Sequence, residues 1–342
     1  MPRAPIAERL TAQGLAGPPL KRPEDVAERL LAIQGQDPRG ARLAIRARTS
    51  GLAAADVDRA LSEDRSLLIT WLNRGTLHLV RSEDYPLLQA LTTPRLLTGN
   101  SRRLRQEGVS EAAAERALET IERALAEEGP LSGAELKERL RAAGVRTAGQ
   151  AFIHVAFLAA LRGLVVRGPM VGKQHAYVLV RDWLGPQPAV DRDRALAELA
   201  RRYLAGHGPA DDRDLARWAG LPLRDARAGL AAIAGELRER GDGLVDLAGR
   251  PPAEPLPAPR LLGAFDPLLL GWTSREEVIG PHGTLVTSNG IFRPFALVGG
   301  RAVSTWGLAD GKVTIRHLGR VTKKVAAALE ADARAVERYF AG

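Results

Sequence analysis

Residues 111–180 read "EAAAERALETIERALAEEGPLSGAELKERLRAAGVRTAGQAFIHVAFLAALRGLVVRGPMVGKQHAYVLV", and this stretch decides the fold. A long amphipathic pattern ends at Gly129-Pro130. The polar segment "LSGAE" then opens a short helix that stops at Ala143-Gly144. A third helix leads into two strand-like runs around a glycine-bearing turn. Helix, helix, turn, helix, hairpin is the order of a winged helix.

Working outward, residues 191–247 repeat the grammar. A long helix ends at Gly206-His207-Gly208-Pro209, "ADDRD" caps the next, and "GELRERGDGLVDL" supplies the hairpin. The N-terminal part fits more loosely. "PEDVAERLLAI", "RGARLAIRAR" and "AAADVDRALSED" read as helices, and "SLLITWLNRGTLHLV" as a hairpin turning at Asn73-Arg74-Gly75. Proline-rich "RPPAEPLPAPR", 250–260, is a linker. Beyond it, "RLLGAFDPLLLGW", "GTLVTSNGIFRPFALVGGRAVSTW" and "KVTIRHL" are strand candidates, with "SNG" and "VGGR" as hairpin turns. A closing helix, "VTKKVAAALEADARAVERYF", sets Val321, Val325, Leu329 and Val336 on one side. The expected fold is therefore α+β, with three tandem winged-helix units and a C-terminal α+β module with β-hairpins in a clamp-like arrangement. Residues 1–90 form the first winged helix. Residues 91–185 are a basic connector and the second, 186–250 the third, and 251–342 the C-terminal β-rich module.

Composition narrows the function classes. Of 342 residues, 45% are hydrophobic, enough for several real cores. No apolar leader or membrane-length run is present, so a soluble cytoplasmic protein is expected. With no cysteine there is neither a disulfide framework nor a thiolate, and the six histidines lack ligand-like spacing. The net charge is +9, carried by 43 arginines and six lysines. Arginine-rich coding explains the ratio but not the excess, which suits a phosphate-bearing partner.

Several tempting motifs fail. "GPMVGKQ", 168–174, places three residues between its glycines where a phosphate loop needs four, and glutamine replaces the magnesium-binding hydroxyl. It falls where the second repeat needs a wing turn. No GxSxG elbow is present, and the pairs Asp211-Asp212 and Glu276-Glu277 read as a cap and a solvated edge. Arg74 and His78 on the N-terminal hairpin either face a phosphate or serve structure. Arg95, Arg102, Arg103 and Arg105 fall within about three helical turns, as a solvated connector or a backbone contact. Lys173, at the wing turn, is a further candidate DNA contact.

"LLAIQGQDPRG", 30–40, is the odd stretch, with Gln34 and Gln36 straddling Gly35 where an apolar pattern stops. On the structural alternative, Gly35 ends the helix and the glutamines satisfy its last carbonyls. Asp37 either caps a helix starting near Pro38 or acts as a base. Arg39 and Arg42 then lie on that helix, as candidate phosphate contacts.

The blocks "LLAIQGQDPRGARLAIRART", "RSLLITWLNRGTLHLV", "GAFDPLLLGWTSREEVI" and "NGIFRPFALVGGRAVSTW", in this order, resemble the winged-helix DNA glycosylase superfamily of AlkZ and YcaQ. The resemblance implies a catalytic Gln-x-Gln, here Gln34 and Gln36. It departs in carrying glycine between them where an apolar residue is usual. It also implies hydrolysis of the N-glycosidic bond of bulky alkylated purines, unhooking of interstrand crosslinks, and no metal or cofactor. The implied partner is double-stranded DNA carrying alkylated purines or crosslinks, without membrane or obligatory protein partner.

Amides suit that chemistry only for some substrates. A glutamine accepts through its carbonyl and donates through its NH2, but takes no proton at neutral pH. It forgoes the roughly 10²–10⁴-fold that a general base supplies. An N7- or N3-alkylated purine already carries positive charge and departs neutral, so two amides that aim a water at C1′ suffice. No lysine lies nearer the motif than Lys21, which favours a monofunctional enzyme without a Schiff base. The alternatives are a winged-helix DNA-binding transcriptional regulator without chemistry, and an interaction scaffold whose glutamines are structural.

Overall fold

The computed structural model describes residues 5–171, 174–280, 285–287 and 290–342. The chain folds as two compact units, one of Met1–Val57 with Asp193–Gly342 and the other of Asp58–Arg192. The first opens with α1 (Ile6–Ala12), α2 (Pro23–Leu30), the two-residue β1 (Ile33–Gln34) and α3 (Pro38–Arg46). α4 (Ala54–Ser62) contains the boundary between the units. Pro23 and Pro38 each stand at a first helical position, where their missing N–H is no loss.

α2 ends at Leu30, short of the expected Ile33. Leu31 takes φ +61°, a left-handed conformation that costs a non-glycine residue on the order of 1–3 kcal/mol. Leu31 is fully buried, so its packing offsets that strain. Gly35 is therefore not the helix stop, and Gln34 lies on an extended segment rather than at a helix C-terminus.

The second unit contains β2 (Leu67–Leu72), β3 (Thr76–Arg81), α5 (Tyr85–Thr92) and α6 (Pro94–Gln106). It continues through α7 (Glu111–Glu128), α8 (Gly133–Ala142), α9 (Ala151–Leu161), β4 (Val165–Val171), β5 (Gln174–Leu179) and α10 (Val180–Leu184). α7 to β5 is the winged-helix order read at 111–180. Ser132 and Glu135 form the reciprocal capping box at the start of α8, with Ser132 N donating to the carboxylate at 2.7 Å. Within "GPMVGKQ", Met170 and Val171 on β4 pair antiparallel with His175 and Gln174 on β5, and Gly172 and Lys173 lie outside the described residues. The sheet runs β3-β2-β4-β5 within this unit. Its core joins Trp71, Ile121, Leu136, Val155, Ala159 and Tyr177.

The first unit resumes with α11 (Arg192–His207), α12 (Asp212–Ala219), α13 (Leu223–Ala232), β6 (Leu237–Glu239) and β7 (Val245–Leu247), again three helices and a hairpin. Asp211 caps α12 by accepting from Asp214 N at 2.7 Å. After the proline-rich segment come β8 (Arg260–Leu262), α14 (Glu276–Ile279), β9 (Phe295–Val298), β10 (Arg301–Ala309), β11 (Lys312–His317) and α15 (Lys323–Ala341). The sheet order is β11-β10-β9-β8. Gly299 and Gly300 both have positive φ, as the tight turn between β9 and β10 requires.

Two expectations need correction here. Only Arg260–Leu262 of "RLLGAFDPLLLGW" is strand, and Pro267–Leu269 is a 3-10 turn capped by the Asp266 carboxylate. Val321 precedes α15 behind its Thr322 cap, whereas Leu329 and Val336 are fully buried on its inner face. Ser288 and Asn289 of "SNG" lie outside the described residues.

α3 sits unusually close to the segment after β8. A Cβ on Gly40 would meet the Ala264 carbonyl oxygen at 2.3 Å, and one on Gly263 would approach the Gly40 Cα at 3.0 Å. Only glycine permits that backbone approach. Deeper in, Arg48 is fully buried and spends all five N–H donors. It donates to Gln13 O, Gln13 Oε1, Ala44 O and both oxygens of Asp266, at 2.9–3.0 Å.

Two buried histidines tie stability to pH. His207, stacked on Tyr203 with ring centroids 4.9 Å apart, is pushed down to about 3 by burial, with nearby arginines adding to the shift. His78 is also pushed down to about 3, by burial first and by the Arg74 charge second. Both are neutral when folded and titrate near 6.5 when unfolded, so the unfolded chain binds more protons below that pH. Stability is thus full above about pH 6.5 and drains as pH falls towards 3, by up to roughly 1.4 kcal/mol per pH unit for each histidine. The urea midpoint is expected to drop between pH 7 and 5, and H78N to lessen that drop. A midpoint that stays level over this range would contradict the assignment.

Candidate active site

The Gln34-Gly35-Gln36 segment bridges β1 and α3. Gln34 is buried, with 6% exposure, whereas Gln36 is exposed. Gln34 Nε2 donates to Gln36 Oε1 at 2.6 Å. The two amides are therefore one hydrogen-bonded unit, anchored inside by the first and open to solvent at the second. Gln36 Oε1 retains a second lone pair and its NH2 two donors, enough to hold and orient a water.

Asp37 follows immediately and serves as the N-cap of α3, accepting from Arg39 N at 3.1 Å. That bond assigns the carboxylate a structural job. Arg39 is exposed, and its guanidinium reaches the Leu308 carbonyl at 3.3 Å.

Arg42 departs from its expected role. It is buried, its guanidinium folds back to the Pro38 carbonyl at 2.9 Å, and its own carbonyl accepts from the Tyr339 hydroxyl at 3.0 Å. It braces the start of α3 and does not present itself to a phosphate.

The second unit holds the other candidates. His78 is buried opposite Thr70, with Nδ1 against the Thr76 carbonyl at 2.8 Å. A neutral, internally bonded imidazole offers a phosphate no charge, so the structural alternative fits it. Arg74 is half-buried at the hairpin turn, between Asn73 and Gly75, which both have positive φ. Arg102, Arg103 and Arg105 are all exposed on α6, and Arg103 donates to Gln106 at 3.2 Å. Lys173 lies outside the described residues. The fold thus brings Gln34, Gln36, Arg39 and Arg42 together in the first unit, and groups the α6 arginines in the second.

α6 has a role that sequence alone did not disclose. It packs along α9, the third helix of its winged-helix unit. Asn100 Nδ2 donates to the His154 carbonyl at 3.0 Å, and Asn100 Oδ1 meets His154 Nδ1 at 3.1 Å. Leu97 and Phe157 both pack against the hydrophobic core of this unit. In a groove-reading winged helix that third helix is the one inserted into DNA. Here α6 packs on one side of it and carries the exposed arginines, while Ile153 of α9 stays 46% exposed. The largely apolar "AFIHVAFLAAL", with His154 its one polar side chain, was the available signal, since a groove-reading helix needs a polar face. The Arg48–Asp266 pair was also missed. Its signal was a single aspartate in the apolar run "LLGAFDPLLLGW".

Repeated winged-helix units, exposed arginines and an amide pair with one member open to solvent define a class of DNA-processing protein. The chain belongs to the AlkZ-like DNA glycosylase family, whose model matches residues 27–339. It is similar to an interstrand DNA cross-link repair glycosylase of Streptomyces sahachiroi, with 27% identity over 355 aligned positions. That alignment covers 92% of this chain and 90% of the relative. It is also similar to the solved structure of Streptomyces sahachiroi DNA glycosylase AlkZ. There the TM-score is 0.78 and the identity 26%, over 98% of this chain and 95% of that one.

Proposed function

We propose that this DNA glycosylase is monofunctional and acts on cationic N7- or N3-alkylated purines in duplex DNA, including those tethered in interstrand crosslinks. Gln34 and Gln36 orient the attacking water. The observation that carries this reading is the 2.6 Å amide–amide bond, with one member buried and the other open. Gln34 fixes the rotamer of Gln36. The remaining lone pair of Gln36 Oε1 then accepts an O–H of the water and turns its oxygen towards C1′. As the glycosidic bond lengthens, positive charge leaves the base and grows on the sugar. The amide carbonyl dipoles, pre-oriented, stabilise it there. The departing purine becomes neutral and needs no acid, and the proton that the water loses on bonding to C1′ passes to bulk solvent, since neither amide accepts it.

A crosslinked purine cannot swing freely out of the helix, so an exposed Gln36 suits it better than an enclosed pocket would. Arg39 and the α6 arginines Arg102, Arg103 and Arg105 serve as phosphate contacts in this reading, as does Arg74 at its hairpin turn. Buried Arg42 and His78 support the fold. Segments 1–90, 91–185 and 186–250 act as the three winged-helix parts and 251–342 as the C-terminal module, in the cytoplasm and without an obligatory protein partner.

Against the regulator alternative, α6 packs on α9 of the second unit through the Asn100–His154 contacts. Incubation with an N7-methylguanine duplex and with a nitrogen-mustard crosslinked duplex tests the proposal. Free methylguanine, alkali-labile sites and unhooked strands are expected. Tight binding to one operator sequence with no base released would favour the regulator, and neither behaviour would favour a scaffold.

A further inference from the structure

In the second unit, α6 leaves one side of α9 open. Ile153 is 46% exposed there. Gln150, three residues before it, is also exposed, and its side-chain amide makes no hydrogen bond among the described residues. Residues three apart on a helix share a face, separated by about 4.5 Å along the axis. Cations surround the pair. Arg102, Arg103 and Arg105 on α6 and Arg146 between α8 and α9 are all exposed. The Arg146 stem runs past Gly108 at the end of α6, where a Cβ would meet its Cδ at 3.4 Å. Burial lowers the His154 pKa, Glu107 raises it and Arg103 lowers it further, so both charges stand beside this part of α9. The Glu107 carboxylate is spent on the main chain, accepting from Gln150 N at 3.1 Å, and a Cβ on Gly149 would meet that carboxylate at 2.8 Å. That bond fixes the backbone of Gln150 and leaves its amide to face outward.

A free amide, an apolar side chain one step along and flanking guanidinium groups match the major-groove edge of A·T pairs. Adenine presents N7 as acceptor and N6 as donor, which a glutamine amide meets with two bonds, and thymine presents its C5-methyl. The axial spacing of the two side chains is close to the roughly 3.4 Å step between neighbouring base pairs. We infer that this side of α9 reads two adjacent A·T pairs from the major groove. Gln150 takes the adenine of one pair and Ile153 the thymine methyl of the next, while Arg103 and Arg146 hold the flanking phosphates. Because α6 occupies another side of α9, the patch reads two pairs and not a whole operator. It gives the enzyme a sequence preference that an amide pair acting on a sugar carbon does not supply. The inference rests on the reading of duplex DNA and the α6 arginines given above.

The test uses the full chain and duplexes in which a tetrahydrofuran abasic analogue fixes the position of the protein and the flanking pairs are randomised. Recovered duplexes are expected to be enriched in two adjacent A·T pairs. At those pairs, 7-deazaadenine, which lacks N7, and uracil, which lacks the methyl, should each weaken binding about three- to tenfold. Q150A should abolish the 7-deazaadenine penalty alone, and I153A the uracil penalty alone. R103A should weaken binding to all sequences alike and lower the salt slope by about one. No enrichment with wild type, or penalties that persist in Q150A and I153A, would overturn the assignment. Base release by wild type from N7-methylguanine duplex, measured in parallel, reports separately on the lesion reading.

Discussion

Q34A or Q36A is expected to slow base release from an N7-methylguanine duplex by roughly 10²–10³-fold, the range seen when one pre-oriented polar group is removed from a catalytic site. Single-turnover kinetics and a binding titration separate the effects, and duplex affinity should change little. The two substitutions should also fail to add. Without Gln34, Gln36 loses the donor that fixes its carbonyl at 2.6 Å. Without Gln36, the buried Gln34 cannot reach the water by itself. Residues that act as a unit show this pattern, with the double variant about as slow as either single one. Additive losses would mean two independent contacts, and the shared-water geometry would be wrong.

D266A is expected to cost about 3–5 kcal/mol of stability, because it leaves the fully buried Arg48 guanidinium without its counter-charge. Asp266 accepts two bonds from that guanidinium and also caps the turn that follows it, through Leu268 N at 2.9 Å. R48M/D266L removes both charges and should be less harmful than D266A alone, since replacing a whole buried pair by apolar groups is often near neutral. Guanidinium chloride unfolding measures the difference. Its order matters more than its size, and a double variant weaker than D266A would contradict the argument. The pair also bears on the site. Arg48 follows α3 and Asp266 follows the segment touching Gly40, so both ends of the helix behind Gln36 are tied to one strand end.

The winged-helix repeats were legible because their helices stop at Gly-Pro punctuation and restart at Ser132 and Asp211, signals that are local and strong. The hairpin at Asn73-Arg74-Gly75 was legible for the same reason. The end of α2 was not. Apolar periodicity runs on through Leu31 and Ile33, and no propensity marks Leu31 as a residue that packing holds at φ +61°. Asp37 could be read as a cap from its place before a proline. Arg42 could not be read as a brace, because a long arginine stem serves a buried carbonyl or an outer phosphate from the same helical position. The amide pair itself was visible as spacing, but which amide is inside and which outside is a property of the turn between β1 and α3.

On the proposed mechanism, neutral side chains suffice because the damaged base leaves as a neutral molecule from a cationic state. Single-turnover release from two matched duplexes tests it directly, one carrying cationic N7-methylguanine and the other uncharged 8-oxoguanine at the same position. Release of methylguanine alone is the predicted result. Comparable release of 8-oxoguanine would require an acid or base that the amide pair does not supply, and would contradict the account.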